Sequence, residues 1–224
     1  MSDRRMTSNL SFDEINALVG DERSMPFSKY FGEMKLSRKQ KEDRIDLATA
    51  LEDEFLFIMA WMANTYPAVD PTVVTEIQNR YMGALADVGL ADHADLANSP
   101  YYPHAAEFAL GLLLATARHK DDPYYYSADR AKFMAENESN NIHNQKDFGD
   151  AQAEGKLWKR WNTIMDGKER ESHAEVDGET VPIDEPFYVG GSELMYPRDD
   201  SLGAGAEELV NCRCSLEFLE SRDE

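Results

Sequence analysis

Glycine and proline become frequent after Asp166, and this change in composition restricts the possible folds more than any other feature of the sequence. Glycine and proline occur eight times between Gly178 and Gly205, with only short apolar pieces between them. Both residues interrupt long helices and favour turns, so this spacing predicts short strands joined by tight turns. We therefore expect the C-terminal part of the chain to form a small, turn-rich module.

The sequence before this point has the apolar spacing that is typical of helices. One series, with intervals of three and four residues, comprises Leu47, Leu51, Phe55, Ile58 and Met62. Such intervals place the side chains on one face of a helix. Further helices are predicted over residues 72–88, 104–119, 127–137 and 142–161. The helix over 104–119 is apolar nearly all round and is expected to be buried.

The helical spacing and the glycine- and proline-rich segment together predict an α+β fold. It has a helical N-terminal portion followed by a small turn-rich C-terminal module that has short strands. Three segments are expected: an N-terminal arm over residues 1–35, a helical domain over 36–126 and the C-terminal module over 127–224. The arm carries six large apolar side chains outside any clear domain: Phe12, Ile15, Leu18, Phe27, Tyr30 and Phe31. Exposed aromatic groups usually mark contacts, so the arm is predicted to dock on a partner or on a second copy.

The charge of the chain limits its partners. The formal net charge is −20, from 43 acidic and 23 basic residues. Affinity for nucleic acids and for anionic membranes comes mainly from Lys and Arg, so direct DNA binding and membrane binding are not expected. The charge has two interpretations, solubility alone or a basic protein partner. No apolar stretch is long enough to cross a bilayer, and the sequence from Met1 has no signal peptide pattern.

The segment from Trp161 to Cys214 contains a series of residues of the types that form turns, ion pairs and metal sites. It comprises Trp161, Asp166, Arg170, His173, Asp177, Gly178, Asp184, Pro186, Phe187, Pro197, Asp199, Asn211, Cys212, Arg213 and Cys214. Asp166 and Arg170 are four residues apart, in the order that favours an ion pair on a helix. The dipeptide Asp177-Gly178 predicts a hairpin turn.

The two cysteines of the chain, Cys212 and Cys214, are separated by one residue. In a strand they would point to one face, and a disulfide between them would be strained. With His173 they are suitable zinc ligands, and an aspartate at 166, 177 or 184 would supply a fourth. The alternative is that both thiols pack in the core and His173 hydrogen-bonds a carboxylate.

In both interpretations we predict that His173, Cys212 and Cys214 form one cluster, supported by an ion pair between Asp166 and Arg170. Cysteine, histidine and carboxylates are also the residues of a thiol hydrolase. However, the sequence has no nucleophile elbow, P-loop or dinucleotide fingerprint, so we predict no catalytic residues and no enzyme.

Taken in order, this series resembles the C-terminal module of the phage Mu F-like, or head morphogenesis, family. That family has the pattern Trp-x-x-x-x-Asp-x-x-x-Arg-x-x-His, then Asp-Gly, Asp-x-Pro-Phe and Pro-x-Asp steps, and a closing Asn-Cys-Arg-Cys. The resemblance covers roughly the last hundred residues. It includes an upstream helix through Arg130, Ala131, Glu138 and Asn141.

The resemblance implies a minor head protein of a tailed phage, a virion component that is present in the host cytoplasm during assembly. It implies binding to the portal or capsid protein, and a role in head assembly, genome packaging or ejection. A metal-dependent or thiol-dependent enzyme, such as a hydrolase or toxin-like effector delivered with the genome, is the alternative. Zinc is the cofactor to consider in either case.

Overall fold

The computed structural model describes residues 26–66 and 68–222. The described helices are α1 (Phe27–Tyr30), α2 (Arg38–Thr65), α3 (Pro71–Asp87), α4 (Tyr102–Arg118), α5 (Ala128–Ala153), α6 (Glu171–Glu175) and α7 (Ala206–Leu209). The strands are β1 (Trp158–Asn162), β2 (Thr180–Pro182), β3 (Phe187–Val189), β4 (Ser192–Leu194) and β5 (Ser215–Leu219). Long helices therefore precede a region of short antiparallel strands, and the predicted α+β fold is confirmed. No helix in the described part of the chain is long and apolar enough to cross a membrane.

The described residues form two compact units, whose boundaries differ from those of the three predicted segments. One unit contains Asp46–Glu136, and the other contains Phe27–Ile45 together with the chain from Asn137 onward. Both boundaries fall inside helices, in α2 and in α5. The first turns of α2 group with the C-terminal part of the chain, where the buried Arg44 donates hydrogen bonds to Asn140 and Asn144 of α5.

The helical unit is held by aromatic packing between α2, α3 and α4. The rings of Phe55 and Phe108 stack with centroids 4.9 Å apart, and Tyr81 lies against both. Helix α3 begins where Asp70 accepts a hydrogen bond from the Thr72 amide, as side-chain caps do at helix N-termini. The predicted helices over 72–88 and 104–119 are present, within two residues at each end.

Two expectations for the helical segments were wrong. Helix α4 is not buried all round, because Leu110 and Leu114 on its surface are almost half exposed. The segments 127–137 and 142–161 do not form two helices, since α5 continues from the first into the second and ends at Ala153. Residues from Trp158 onward form a strand, and Gly155, with φ of 76°, allows the chain to reverse direction before it.

Strand β1 is the centre of a three-stranded antiparallel sheet with the order β2-β1-β5. Its register places Trp161 opposite Leu216 of β5 and Arg160 opposite Thr180 of β2. Strands β3 and β4 form a separate hairpin. The buried side chains of the sheet, the hairpin and α5 make one core: Phe148, Trp161, Val176, Phe187, Val189, Leu194, Cys212, Cys214 and Leu216.

Part of the predicted arm belongs to a folded unit. Phe27, Tyr30 and Phe31 lie in or directly after α1 and are buried, with Phe31 fully enclosed. The expectation that these three aromatics lie outside any domain is therefore wrong, because they are buried in the unit that contains the sheet, and the docking of the arm stays a prediction. Phe12, Ile15 and Leu18 lie outside the described residues, and their docking stays a prediction.

A buried histidine and cysteine cluster as the candidate functional site

The two cysteines lie on the short segment that joins α7 to β5. Asn211 precedes them with a left-handed backbone, φ of 56°, a conformation that asparagine tolerates better than most residues. Its amide donates to Oδ1 of Asn137 on α5, at 2.8 Å. Asn211 therefore directs the chain into the cysteine segment that precedes β5.

Two asparagine side chains on α5 fix the backbone of the cysteine segment. Asn140 donates to the carbonyl oxygens of Cys212 and Cys214, at 3.1 and 3.4 Å, and Asn144 donates to that of Cys214 at 3.2 Å. Both amides are buried. Neither was identified as a site residue from the sequence, although asparagines spaced three to four residues apart on a helix with an apolar face were a detectable signal.

The structure brings His173, Cys212 and Cys214 into one cluster, as predicted. The Nδ1 atom of His173 lies 3.4 Å from Sγ of Cys214 and 3.5 Å from Sγ of Cys212. All three side chains are at most 3% exposed. Among the described residues, this group of possible ligand atoms, all within 4.8 Å of one another, contains no fourth histidine, cysteine or carboxylate.

The opposite edge of the imidazole ring is held by a carboxylate. Nε2 of His173 lies 2.9 Å from Oε2 of Glu208 in α7, and Ser172 donates to the same oxygen at 2.9 Å. The ring also packs edge-to-face against Trp161, with centroids 5.8 Å apart. Sequence reasoning missed Glu208, because adjacent glutamates on a short helix usually indicate a solvated face.

Thr163 connects the parts of the cluster from the end of β1. Its hydroxyl donates to the carbonyl oxygen of His173 at 2.8 Å and accepts from the Trp161 indole at 3.2 Å. The sulfur of Cys214 lies 3.5 Å from the same hydroxyl. The backbone amide of Thr163 donates to Asp177 at 2.7 Å. Thr163 therefore connects the end of β1 with α6 and with the cysteine segment.

The charge states of the cluster follow from these contacts. The hydrogen bond from Cys214 holds the pKa of the Cys212 thiol well below its usual value; His173 acts in the same direction and burial opposes both. The same hydrogen bond, together with burial, raises the pKa of Cys214. Burial lowers the pKa of His173, but its hydrogen bond to Cys212 and the charge there outweigh this effect, so the pKa is raised overall. These shifts make Cys212 the more acidic of the two thiols.

The predicted ion pair between Asp166 and Arg170 does not form. Asp166 instead accepts two hydrogen bonds from Arg213, at 2.7 and 2.8 Å, and Arg170 donates to the carbonyl oxygen of Val210. The hydrogen bond from Arg213 also lowers the pKa of Asp166. The prediction assumed a helix through both residues, but α6 begins only at Glu171, so the four-residue spacing does not place them on one face.

The dipeptide Asp177-Gly178 does not form the predicted two-residue hairpin. It follows α6, and Gly178, with φ of 81°, redirects the chain into β2. The Gly178 amide donates to the carbonyl oxygen of Trp161 at 2.8 Å, which starts the pairing with β1. Asp177 accepts from Thr163 and from Lys35, the latter at 3.1 Å.

The remaining residues of the series contribute to the fold and not to the cluster. Phe187 is fully buried in the core, and Pro197 is buried. Asp199 is fully buried and accepts from the amides of Met195 and Ser201, at 2.8 and 3.0 Å. Asp184 is exposed and Pro186 is half-buried. None of the three aspartates considered as a fourth zinc ligand belongs to the cluster.

These features define a small α+β module built around a buried cluster of one histidine and two cysteines. Residues 113–217 match the family described as "Phage Mu protein F like protein". The predicted resemblance to this family is therefore confirmed for the C-terminal part of the chain, and the match supports a phage head morphogenesis protein.

Two curated proteins share shorter stretches with the chain. "NAD(+)--arginine ADP-ribosyltransferase EFV" of Enterococcus faecalis is 35% identical over 75 residues, which are 33% of this chain and 15% of that protein. "Uncharacterized protein YqbB" of Bacillus subtilis is 43% identical over 49 residues, 21% of this chain and 15% of that protein. The aligned stretch thus spans only a small part of each relative. No solved structure matches the chain.

Proposed function

We propose that this protein is a minor head protein of a tailed phage that acts in head assembly by binding the portal or capsid protein. The observation that carries the proposal is the family match over residues 113–217. In this proposal the protein is a low-copy component of the virion, and it is present in the host cytoplasm while heads assemble. Roles in genome packaging or ejection follow from the same location in the head.

The positions of the family-type residues support a structural role. Trp161 and Phe187 fill the core, Asp199 holds a turn, and Asn211 directs the chain into the last strand. These residues build the module and do not line an open cleft. The cavity beside the cluster measures about 20 Å³, whereas pockets for small molecules are typically several hundred Å³.

A larger concavity in the same unit gives no support to the enzyme alternative. Its volume is about 630 Å³, and its lining is mostly polar and charged, including Lys35, Asp147, Asp150 and Lys156. No cysteine or histidine is among the described residues that line it. The activity named for the Enterococcus relative is not part of our proposal, because the shared stretch is only 15% of that protein.

The charge of the chain suggests the chemistry of the partner surface. A net charge of −20 repels DNA and favours contact with a basic protein surface. Contacts of this kind raise association rates and weaken as the salt concentration rises. We therefore propose a basic patch on the portal or capsid protein as the partner.

Binding to isolated assembly components tests this proposal. The tagged chain is mixed with purified portal oligomers and with empty proheads, and bound protein is separated by size. We expect binding to at least one component at low salt and weaker binding at high salt, while an unrelated protein of similar negative charge stays unbound. Failure to bind either component, or equal binding of the acidic control, would overturn the proposal.

A further inference from the structure

We propose that Nδ1 of His173 and the two sulfur atoms of Cys212 and Cys214 bind one zinc ion. This metal site goes beyond the proposed function, since a head protein does not require one. Histidine nitrogen and cysteine sulfur are the donors that zinc prefers, and this donor set excludes magnesium and calcium, which take oxygen ligands.

The distances between the donor atoms fit a tetrahedral ion. Zinc bonds of about 2.3 Å to sulfur and about 2.0–2.1 Å to nitrogen, at tetrahedral angles, place nitrogen and sulfur about 3.6 Å apart. The Nδ1 atom of His173 lies 3.4 Å from one sulfur and 3.5 Å from the other. Both nitrogen–sulfur distances are therefore within about 0.2 Å of those in a zinc site, and all three donor atoms lie within 4.8 Å of one another.

The histidine is oriented for metal binding by its second nitrogen. Histidine ligands usually donate their other N–H group to a carboxylate, which fixes the tautomer and the direction of the ring. Glu208 occupies this position, 2.9 Å from Nε2 of His173, and Ser172 in turn donates to Glu208. With Nε2 protonated toward Glu208, Nδ1 presents its lone pair to the two sulfurs.

Hydrogen bonds to the cysteine segment also favour the binding of a cation. The amide of Cys214 donates to Sγ of Cys212 at 3.4 Å, a contact that stabilises a thiolate. The carbonyl groups of both cysteines are held by Asn140 and Asn144, which fixes the direction of the sulfurs. Two buried thiolates without a counter-charge would be costly, and a divalent cation neutralises both.

The fourth ligand is most simply a water molecule. No fourth histidine, cysteine or carboxylate lies with the cluster among the described residues. The adjoining cavity of about 20 Å³ is lined by the three ligands, and a cavity of roughly 10–15 Å³ already accommodates one water molecule. The cavity is too small for an organic substrate, so we assign the ion a structural role, joining α6 to the segment before β5.

Metal analysis and cobalt spectroscopy test this site on the full chain. Protein purified without chelators is expected to contain one zinc per chain. The metal-free protein titrated with Co²⁺ is expected to show the thiolate charge-transfer band and the strong visible bands of a tetrahedral site, saturating at one equivalent. Glu208→Gln should weaken zinc binding roughly ten- to hundredfold, as loss of a histidine-orienting carboxylate does elsewhere. Its matched control, Glu207→Gln on the exposed face of the same helix, should leave the affinity unchanged.

Two results would exclude a zinc ion at this cluster. A folded wild-type chain that contains no zinc and gives no thiolate–cobalt band would overturn the proposal. One zinc per chain retained by a folded Cys212→Ser/Cys214→Ser variant would also overturn it, because the ion would then bind elsewhere. Binding to portal or proheads enters neither measurement, so failure of the proposed function and failure of the zinc site are distinguishable.

Discussion

At the residue scale, some residues near the cluster matter because of the space that they leave and not only because of the chemical groups that they carry. Gly190 is an example from the turn between β3 and β4. A β-carbon at this position would lie 1.9 Å from Oε1 of Glu208, the carboxylate that orients His173. The turn therefore approaches the cluster so closely that only a hydrogen atom fits between them.

Substitution of this glycine tests the close approach. We expect Gly190→Ala to lower the free energy of unfolding by about 1–3 kcal/mol more than Gly191→Ala does, because the displaced carboxylate loses its contacts with His173 and Ser172. Gly191 is a matched control, since its φ of 88° is also positive but an added β-carbon meets nothing within 4 Å. Denaturant unfolding of both variants gives the comparison. Equal losses in the two variants would show that backbone strain alone is responsible and that Glu208 moves freely.

At the element scale, the sequence predicted the helices and the cluster more successfully than the connections. The apolar intervals of α2, α3 and α4 depend on local geometry, and these helices were confirmed. The cluster of the two cysteines with His173 was also confirmed, although both cysteines precede β5 and do not lie in a strand. The strand β1 was predicted as helix, because its alternation is short and its partners, β2 and β5, lie far away in the sequence. Long-range pairing decides its conformation.

The side-chain partners of the site show the same limit. The pair of Asp166 with Arg213 and the pair of His173 with Glu208 each join residues more than thirty positions apart. No local spacing indicates such contacts. The family resemblance identified Arg213 and His173, but it did not predict which acidic group each one contacts.

The N-terminal segment carries a prediction at this scale. Phe31 is fully buried, so Phe31→Ala should lower the free energy of unfolding by about 3–5 kcal/mol. The same substitution at Phe12, which lies outside the described residues, should leave that free energy unchanged and weaken association with the partner or a second copy. Thermal unfolding and binding to proheads measure the two effects. A stability loss at Phe12 equal to that at Phe31, or none at Phe31, would contradict this division of the arm.

At the scale of the whole molecule, the family match and the shape of the cluster support the same kind of protein. The match over residues 113–217 supports a head morphogenesis protein, and the closed cluster and small cavity support a structural role for the matched module. The net charge of −20 is the reason that we propose a basic protein surface, and not DNA, as the partner. These features are consistent with a virion protein whose contacts are made with other head proteins.

Quantitative mass spectrometry of purified, nuclease-treated virions tests this central claim most directly. We predict that the chain is present at a constant, low copy number per particle, relative to the major capsid protein, and that proheads purified before packaging already contain it. The contradicting result is a chain that is abundant in the infected lysate but absent from both proheads and virions.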